Sequence, residues 1–231
     1  MLDPTHVSTT TQILPLQSQN HDYLTQVSMP VLEITQLCLK GLPANDPSLL
    51  QNLSAVRAQL QTKSQFYTCI EDPTKLYVLG IWRDIKQHSD FLASPGRDEI
   101  LGPQEDMLDF EWTVHIEVEG MDALPLDAPV LAIERLVAKD GVVVFEQAAE
   151  SYVQRLQENT LFKILYNQRC DTASPRAETV FLTGWETVED HFSFSKRLQD
   201  RNDVEASGMV EQLLLHHAKN LERNDVQPVL N

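Results

Sequence analysis

The sequence predicts an α+β protein made of two tandem ferredoxin-like repeats, each a β-α-β-β-α-β unit. Two landmarks carry this reading. Trp82–Phe91 reads WRDIKQHSDF and Trp185–Phe194 reads WETVEDHFSF, so the spacing W-x5-H-x2-F occurs twice, 103 residues apart. PVLEITQL at Pro30–Leu37 returns as PVLAIERL at Pro129–Leu136, 99 residues on. Two landmarks in the same order at nearly the same offset identify an internal duplication, which changes the whole reading of the fold. The third observation is that strand-like and helix-like hydrophobic periods follow one another in the same order in both halves. The expected organisation is an N-terminal arm over 1–28, a first repeat over 29–120, a second repeat over 128–222 and a polar tail from 223. The segment 121–128 (MDALPLDA), with Pro125, separates the repeats.

In the first repeat, Val31–Lys40 reads as a strand. Asp46-Pro47 supplies an N-cap and a proline at the first helical position. Leu49, Leu50, Leu53, Val56, Arg57 and Leu60 then follow at helical spacing. Phe66–Ile70 is a short strand, Asp72-Pro73 a turn, and Lys75–Trp82 is apolar on both faces, as an inner strand is. A short helix follows from about Asp84. A second helical stretch over Arg97–Leu108 is interrupted by Gly102-Pro103, and Phe110–Val118 closes the repeat as a strand. The second repeat offers strands over Val130–Lys139, Leu161–Arg169, Thr179–Trp185 and Leu213–Leu221. Its first helix shows a face of Phe145, Ala148, Ala149, Tyr152 and Leu156. Further helices are expected near Val188 and near Val204–Val210.

The chain has 231 residues, is 42% hydrophobic and carries 18 basic against 34 acidic residues, a net charge of −16. That field repels a phosphate backbone and an anionic membrane surface, so neither nucleic acid nor membrane is an expected partner. The 3 cysteines, Cys38, Cys69 and Cys170, form no C-x-x-C pair, which fits a reducing compartment. No signal peptide and no apolar run of roughly 18 residues is visible, so the expected location is cytoplasmic. G-x-S-x-G, G-x-G-x-x-G and P-loop motifs are missing. No H-x-H, H-E-x-x-H or clustered Cys/His spacing suggests a metal.

Trp82 and Trp185 end strands that run into helices, where an indole can wall a pocket for a planar substrate or simply pack in the core. His88 lies three residues from both Ile85 and Phe91, which turns it inward; Val188, His191 and Phe194 repeat the pattern. Such a histidine is either tied to a backbone carbonyl or is a donor or general acid/base facing a pocket. On the closing strand, Phe110, Trp112, Val114, Ile116 and Val118 alternate with Glu111, Thr113, His115 and Glu117. His115 between carboxylates is a candidate base, or part of a solvent-facing strand. The second repeat has Leu213-Leu214-Leu215-His216-His217 at this place; neighbours on a strand point to opposite faces, so His216 and His217 cannot chelate one metal together.

The strand ending in Trp82 or Trp185, followed by a short helix bearing His88 or His191 and Phe91 or Phe194, resembles the dimeric α/β-barrel superfamily. In particular it resembles the antibiotic-biosynthesis monooxygenase domains and their tandem-repeat fungal relatives. Trp82–Pro95, WRDIKQHSDFLASP, carries the likeness best; the second repeat lacks the Ser-Pro. The resemblance implies a fused dimeric α/β barrel with one potential pocket per half. It also implies chemistry that ranges from cofactor-independent monooxygenation to polyketide cyclisation, haem degradation and stress proteins without known chemistry. Haem-degrading members need an Asn on the first strand; this chain has Glu33 and Thr35 there.

The reading that follows is a metal-free, cofactor-independent enzyme of secondary metabolism acting on a small hydrophobic, aromatic or polyketide-like metabolite, by oxygenation. His115 or His88 is the expected catalytic base, with Tyr77, Trp82, Arg83 and Phe91 binding substrate in the N-terminal half and a homodimer possible. A cyclase or isomerase on the same fold, and a non-catalytic small-molecule-binding protein, are the alternatives.

Overall fold

The computed structural model describes residues 29–139, 142–172, 176–200 and 210–223. The expected N-terminal arm, nearly all of the helix near Val204–Val210 and most of the polar tail lie outside them. In the first half the elements are β1 (Val31–Leu39), α1 (Pro47–Leu60), β2 (Lys63–Cys69), β3 (Lys75–Trp82), α2 (Ile85–Leu92), α3 (Arg97–Glu105) and β4 (Leu108–Glu117). In the second they are β5 (Val130–Ala138), α4 (Val142–Asn159), β6 (Ile164–Gln168), β7 (Glu178–Trp185), α5 (Val188–Asp200) and β8 (Val210–Asn220). Asp46 caps α1 as expected, its carboxylate accepting from the amides of Ser48 and Leu49. Asp84 caps α2 through the Gln87 amide. The expected break at Gly102-Pro103 does not occur: α3 runs through Pro103. The proline sits in the last turn of a short helix, where its missing N–H forgoes a single i→i−4 bond.

Among the described residues, the 8 strands form one antiparallel sheet in the order β4-β1-β3-β2-β8-β5-β7-β6. Each half contributes four strands in the ferredoxin-like order, fourth-first-third-second. The halves join where β2 pairs with β8, Tyr67 opposite Asn220 and Cys69 opposite Ala218. The far edges also meet: Ile116 on β4 bridges Arg169 beyond β6. Beside that bridge, the Cys170 amide donates to the His115 carbonyl at 2.9 Å, and Asn167 donates to the Glu117 carbonyl at 3.0 Å. Two potentially exposed sheet edges thereby cover each other.

Alternation along the strands sorts residues between two environments. Leu32, Ile34, Tyr77, Leu79, Val114, Ile116, Leu131, Ile133, Val180 and Leu182 fill a core shared by both half-sheets. The other face of each half-sheet lies under its own helices, with Leu49, Leu53, Phe66 and Leu76 on the first side and Val153, Leu156, Phe181, Trp185 and Phe194 on the second. The segment 121–128 was expected to be a simple separator. Instead it makes a 3-10 turn at Met121–Ala123 and buries Met121, Leu124 and Ala128, because its apolar residues complete the shared core. A second departure is Phe110, expected on the face of Trp112 yet 66% exposed. A register shift in the β1–β4 pairing between Gln36 and Leu37 skips Glu111 and resets the alternation. The β5–β8 pairing shifts between Arg135 and Leu136, the corresponding place in the second half. Among the described residues, no helix is long and apolar enough to cross a membrane.

Candidate active site in the N-terminal half

Between the helix-facing side of β1, β3 and β4 and the helices α1, α2 and α3 lies a cavity of about 420 Å³. Leu37, Leu53, Phe66, Val78, Phe91 and Leu101 give it apolar walls; Glu33, Thr35, Trp82, His88 and Thr113 supply the polar groups on its floor. A few placed polar groups in a mostly apolar cleft is the usual make-up of a small-molecule site.

Glu33 and Thr35 face the cavity because they alternate with the core residues Leu32 and Ile34. The Glu33 carboxylate accepts from Trp82 Nε1 at 2.6 Å and from the Thr35 hydroxyl at 2.6 Å. Thr35 also lies 2.8 Å from the Thr113 hydroxyl. With a single proton, Thr35 donates to the carboxylate and accepts from Thr113. Gly80 leaves room beside this group: a Cβ there would stand 3.4 Å from Glu33 Oε2 and 3.3 Å from Ser64 Oγ. The His88 ring stacks on Trp82 with centroids 4.5 Å apart, and Phe91 stacks on the same indole at 5.7 Å. That stack puts His88 Nε2 at 3.8 Å from Glu33 Oε2.

Behind His88 the polar chain continues. His88 Nδ1 lies 2.7 Å from His115 Nε2, and His115 Nδ1 lies 2.9 Å from Asp171 Oδ2. Asp171 belongs to the turn after β6, in the other half, and its second oxygen is held by Arg169 Nε. Burial pushes the His88 pKa below its ordinary value; Glu33 opposes that shift and His115 adds to it. Burial would raise Asp171, but the hydrogen bonds from His115 and Arg169 outweigh it and hold the carboxylate below its usual range.

The second half builds a parallel chain with a different end. His191 Nδ1 is 2.8 Å from His217 Nε2, and His217 Nδ1 contacts Glu71, from the turn after β2 in the first half. The Glu71 carboxylate also accepts from the His217 amide at 2.8 Å. His191 stacks on Trp185 at 4.6 Å. The register that pairs Glu33 with His115 pairs Ala132 with His217, so no carboxylate stands where Glu33 does. Trp185 Nε1 donates to Thr183 instead, at 2.8 Å. Phe181 stands where β3 has Val78, and Phe194 is fully buried. Glu134, two pairs further along, is bonded to Tyr152 and Gln212. Burial, helped by His217, drives the His191 pKa from 6.5 to about 4.

Of the residues singled out from the sequence, Trp82, His88 and Phe91 come together on the cavity wall. His115 lies immediately behind His88, and its carboxylate partner is Asp171. Glu111 and Glu117 do not flank it as expected: Glu111 pairs with Lys75 at 3.1 Å and takes a bond from Gln36, and Glu117 is exposed. Tyr77 is on the opposite face of the sheet from Trp82, because five residues separate them and an odd separation along a strand reverses the side. Its hydroxyl donates to Gln36 at 2.7 Å and meets His216 Nδ1 at 2.5 Å inside the shared core. Arg83 lies outside the cavity, exposed and paired with Asp84 at 3.0 Å. Glu33, Thr35, Thr113 and Asp171 are the site residues that the sequence reading did not select. Among the described residues, no group of three or more His, Cys, Asp or Glu side chains is arranged to hold a metal ion.

No family model and no curated protein matches the chain. Solved structures do match in fold. A protein provisionally assigned as a chlorite dismutase aligns with a TM-score of 0.59 at 7% identity, covering 84% of this chain and 95% of the other. An anthrone oxidase-like protein aligns with a TM-score of 0.56 at 10% identity, covering 82% and 91%. A haem-binding protein from Thermus thermophilus aligns with a TM-score of 0.54 at 9% identity, covering 83% and 91%. At these identities the likeness is one of fold, and function has to be argued from the site.

Proposed function

We propose that the chain is a cofactor-independent oxygenase in which the N-terminal cavity deprotonates a small aromatic or polyketide-like metabolite and delivers its anion to dioxygen. The observation that carries this reading is His88 Nε2 facing Glu33 at 3.8 Å on the floor of an apolar cavity, beside the indole of Trp82. His88 takes the proton of an activated CH or phenolic OH. Glu33, held as an acceptor by Trp82 and Thr35, stabilises the imidazolium that forms. The electron-rich anion then reduces O2. For an anthrone-type methylene the balance is R–CH2–R′ + O2 → R–C(=O)–R′ + H2O, with all four electrons drawn from substrate. Trp82 and Phe91 orient the flat ring, and the apolar walls around it limit access of water to the reacting atoms.

The same reading treats 29–120 and 128–222 as tandem repeats fused as a dimeric α/β barrel. The repeated strand order, the paired register shifts and the two Trp–His–His constellations support it. A haem does not fit His88. Coordination at Nε2 would need the space that Glu33 occupies, and two hydrogen bonds fix that carboxylate. At His191 it is ring packing that leaves no such space: the imidazole stacks on Trp185 at 4.6 Å and on Phe194 at 6.4 Å.

The test is oxygen uptake with a panel of anthrones and polyhydroxyaromatics, read with ¹⁸O2. One labelled oxygen atom in the product supports the assignment. Product formed without oxygen consumption selects the cyclase or isomerase reading, and no turnover with any panel member counts against both.

A further inference from the structure

We infer that Asp171, contributed by the second half, is the positioning residue that makes His88 a base. This rests on His88 being the proton acceptor of the N-terminal cavity. Four facing atoms define the chain: Asp171 Oδ2, His115 Nδ1, His115 Nε2 and His88 Nδ1. Two neutral imidazoles hold two protons, and both rows of protons obey the geometry: each ring carries its proton on Nδ1, or each carries it on Nε2. A carboxylate only accepts, so ionised Asp171, at hydrogen-bond distance from His115 Nδ1, selects the first row. Glu33 pulls the other way from His88 Nε2, but at 3.8 Å it makes no hydrogen bond there and its oxygens are taken by Trp82 and Thr35. His115 then donates through Nδ1, its bare Nε2 accepts from His88 Nδ1–H, and the lone pair is left on His88 Nε2, at the cavity. The second row would put a proton on His88 Nε2 and leave Asp171 facing a lone pair.

The surroundings of Asp171 keep it ionised and aimed. Arg169 holds its other oxygen and is anchored in turn to Glu178 at 3.1 Å, which also takes Arg135 at 2.6 Å. Every atom of this support lies between residues 135 and 178, so the N-terminal cavity borrows its orienting group from the other half. The exchange is reciprocal. Glu71, the first-half residue at the matching turn, orders His217 and His191. That chain ends without a Glu33, which makes Glu71 a built-in control: it joins the two halves as Asp171 does but does not touch the N-terminal proton path.

The experiment combines ¹⁵N spectra of the imidazole rings with the pH profile of kcat/KM in the wild type, Asp171→Asn, Asp171→Glu and Glu71→Gln. In the wild type, His88 is expected to titrate as the Nδ1–H tautomer. The carboxamide that Asp171→Asn introduces can donate, which inverts both rings and protonates His88 Nε2; kcat then falls by about 10²–10⁴-fold with KM little changed. Asp171→Glu is expected to restore the tautomer and much of the rate. Glu71→Gln is expected to alter the His191 and His217 signals and leave kcat alone. A wild-type His88 carrying its proton on Nε2 overturns the inference without any variant. So does an Asp171→Asn protein that keeps the wild-type tautomer, or equal loss of rate in Asp171→Asn and Glu71→Gln. If the tautomer inverts and the rate does not change, the positioning stands and the assignment of His88 as base is what fails.

Discussion

The two halves hold the same Trp–His–His arrangement on corresponding elements and differ in what meets the last imidazole. In the first half Glu33 faces it and an apolar cavity opens above. In the second, Ala132 stands at the register position of Glu33, Thr183 accepts the indole N–H, and Phe181 and Phe194 are buried in the core beside it. The stack is thus common to both halves, and under the proposed function it is the Glu33 carboxylate and the room above it that would set the N-terminal half apart. The contrast is visible in the pKa directions: burial lowers both histidines, but only His88 has an opposing carboxylate close by in its own half.

The largest expected effect is on turnover. His88→Ala should lose about 10²–10⁴-fold in kcat, the typical contribution of a general base, whereas His191→Ala should change turnover little. Steady-state oxygen consumption checks both, and silent His88→Ala with inactive His191→Ala would reverse the assignment of the halves. Glu33→Gln belongs with this pair. It should lower the His88 pKa further, since a stabilising negative charge is removed, and an NMR titration of the ring reads that sign directly.

Packing comes next. Leu156 is fully buried against Phe181 and Phe194, so Leu156→Ala leaves a closed void and should cost about 2–5 kcal/mol. Leu53 borders the open cavity, and Leu53→Ala enlarges a space that already exists, so urea denaturation should place its cost below that of Leu156→Ala. The glycines give a third, smaller contrast. A Cβ at Gly184 would lie 2.5 Å from Phe162 Cβ and 2.7 Å from Ala128 Cβ, and Gly184→Ala should destabilise by about 1–3 kcal/mol. At Gly80 the nearest atoms are the ends of Ser64 and Glu33, which can shift. Gly80→Ala should therefore keep its Tm and act on kcat through Glu33.

The smallest effect is a pH slope. A histidine whose folded pKa is depressed contributes stability that is complete above the unfolded pKa and is lost as pH falls towards the folded one. His191, lowered from 6.5 to about 4, should make Tm fall on acidification through that window. The carboxylates Glu71 and Asp171, also held below their ordinary values, extend the loss below about pH 4. Replacing His191 should flatten the upper part of the curve more than replacing His88, because Glu33 offsets part of the His88 shift.

The W-x5-H-x2-F repeat made the strand-helix junctions legible, and with them Trp82, His88 and Phe91 as neighbours. Strand parity could also have shown that Tyr77 and Trp82 diverge, since the separation is odd. Glu33 carried a usable signal: a lone carboxylate in VLEITQL, a strand otherwise short of charge. Asp171 carried a weaker one, lying 100 residues after Glu71 within the repeat offset. What no local pattern could reveal is that each of these turns reaches the other half's histidine, because that contact depends on how the edges of the half-sheets meet. The burial of Met121 and Leu124 was hidden for the same reason.

β8 is made after the other seven strands, yet it sits in the middle of the sheet, between β2 and β5. Its partner residues Tyr67 and Asn220 are joined only once almost all of the described chain has left the ribosome. Until then β2 and β5 each present an unpaired rim. Contacts of such long sequence separation are slow to form, so the nascent chain passes through a stage with two adhesive edges that later become its central seam. The central seam of the sheet is therefore the last of its pairings that synthesis makes available.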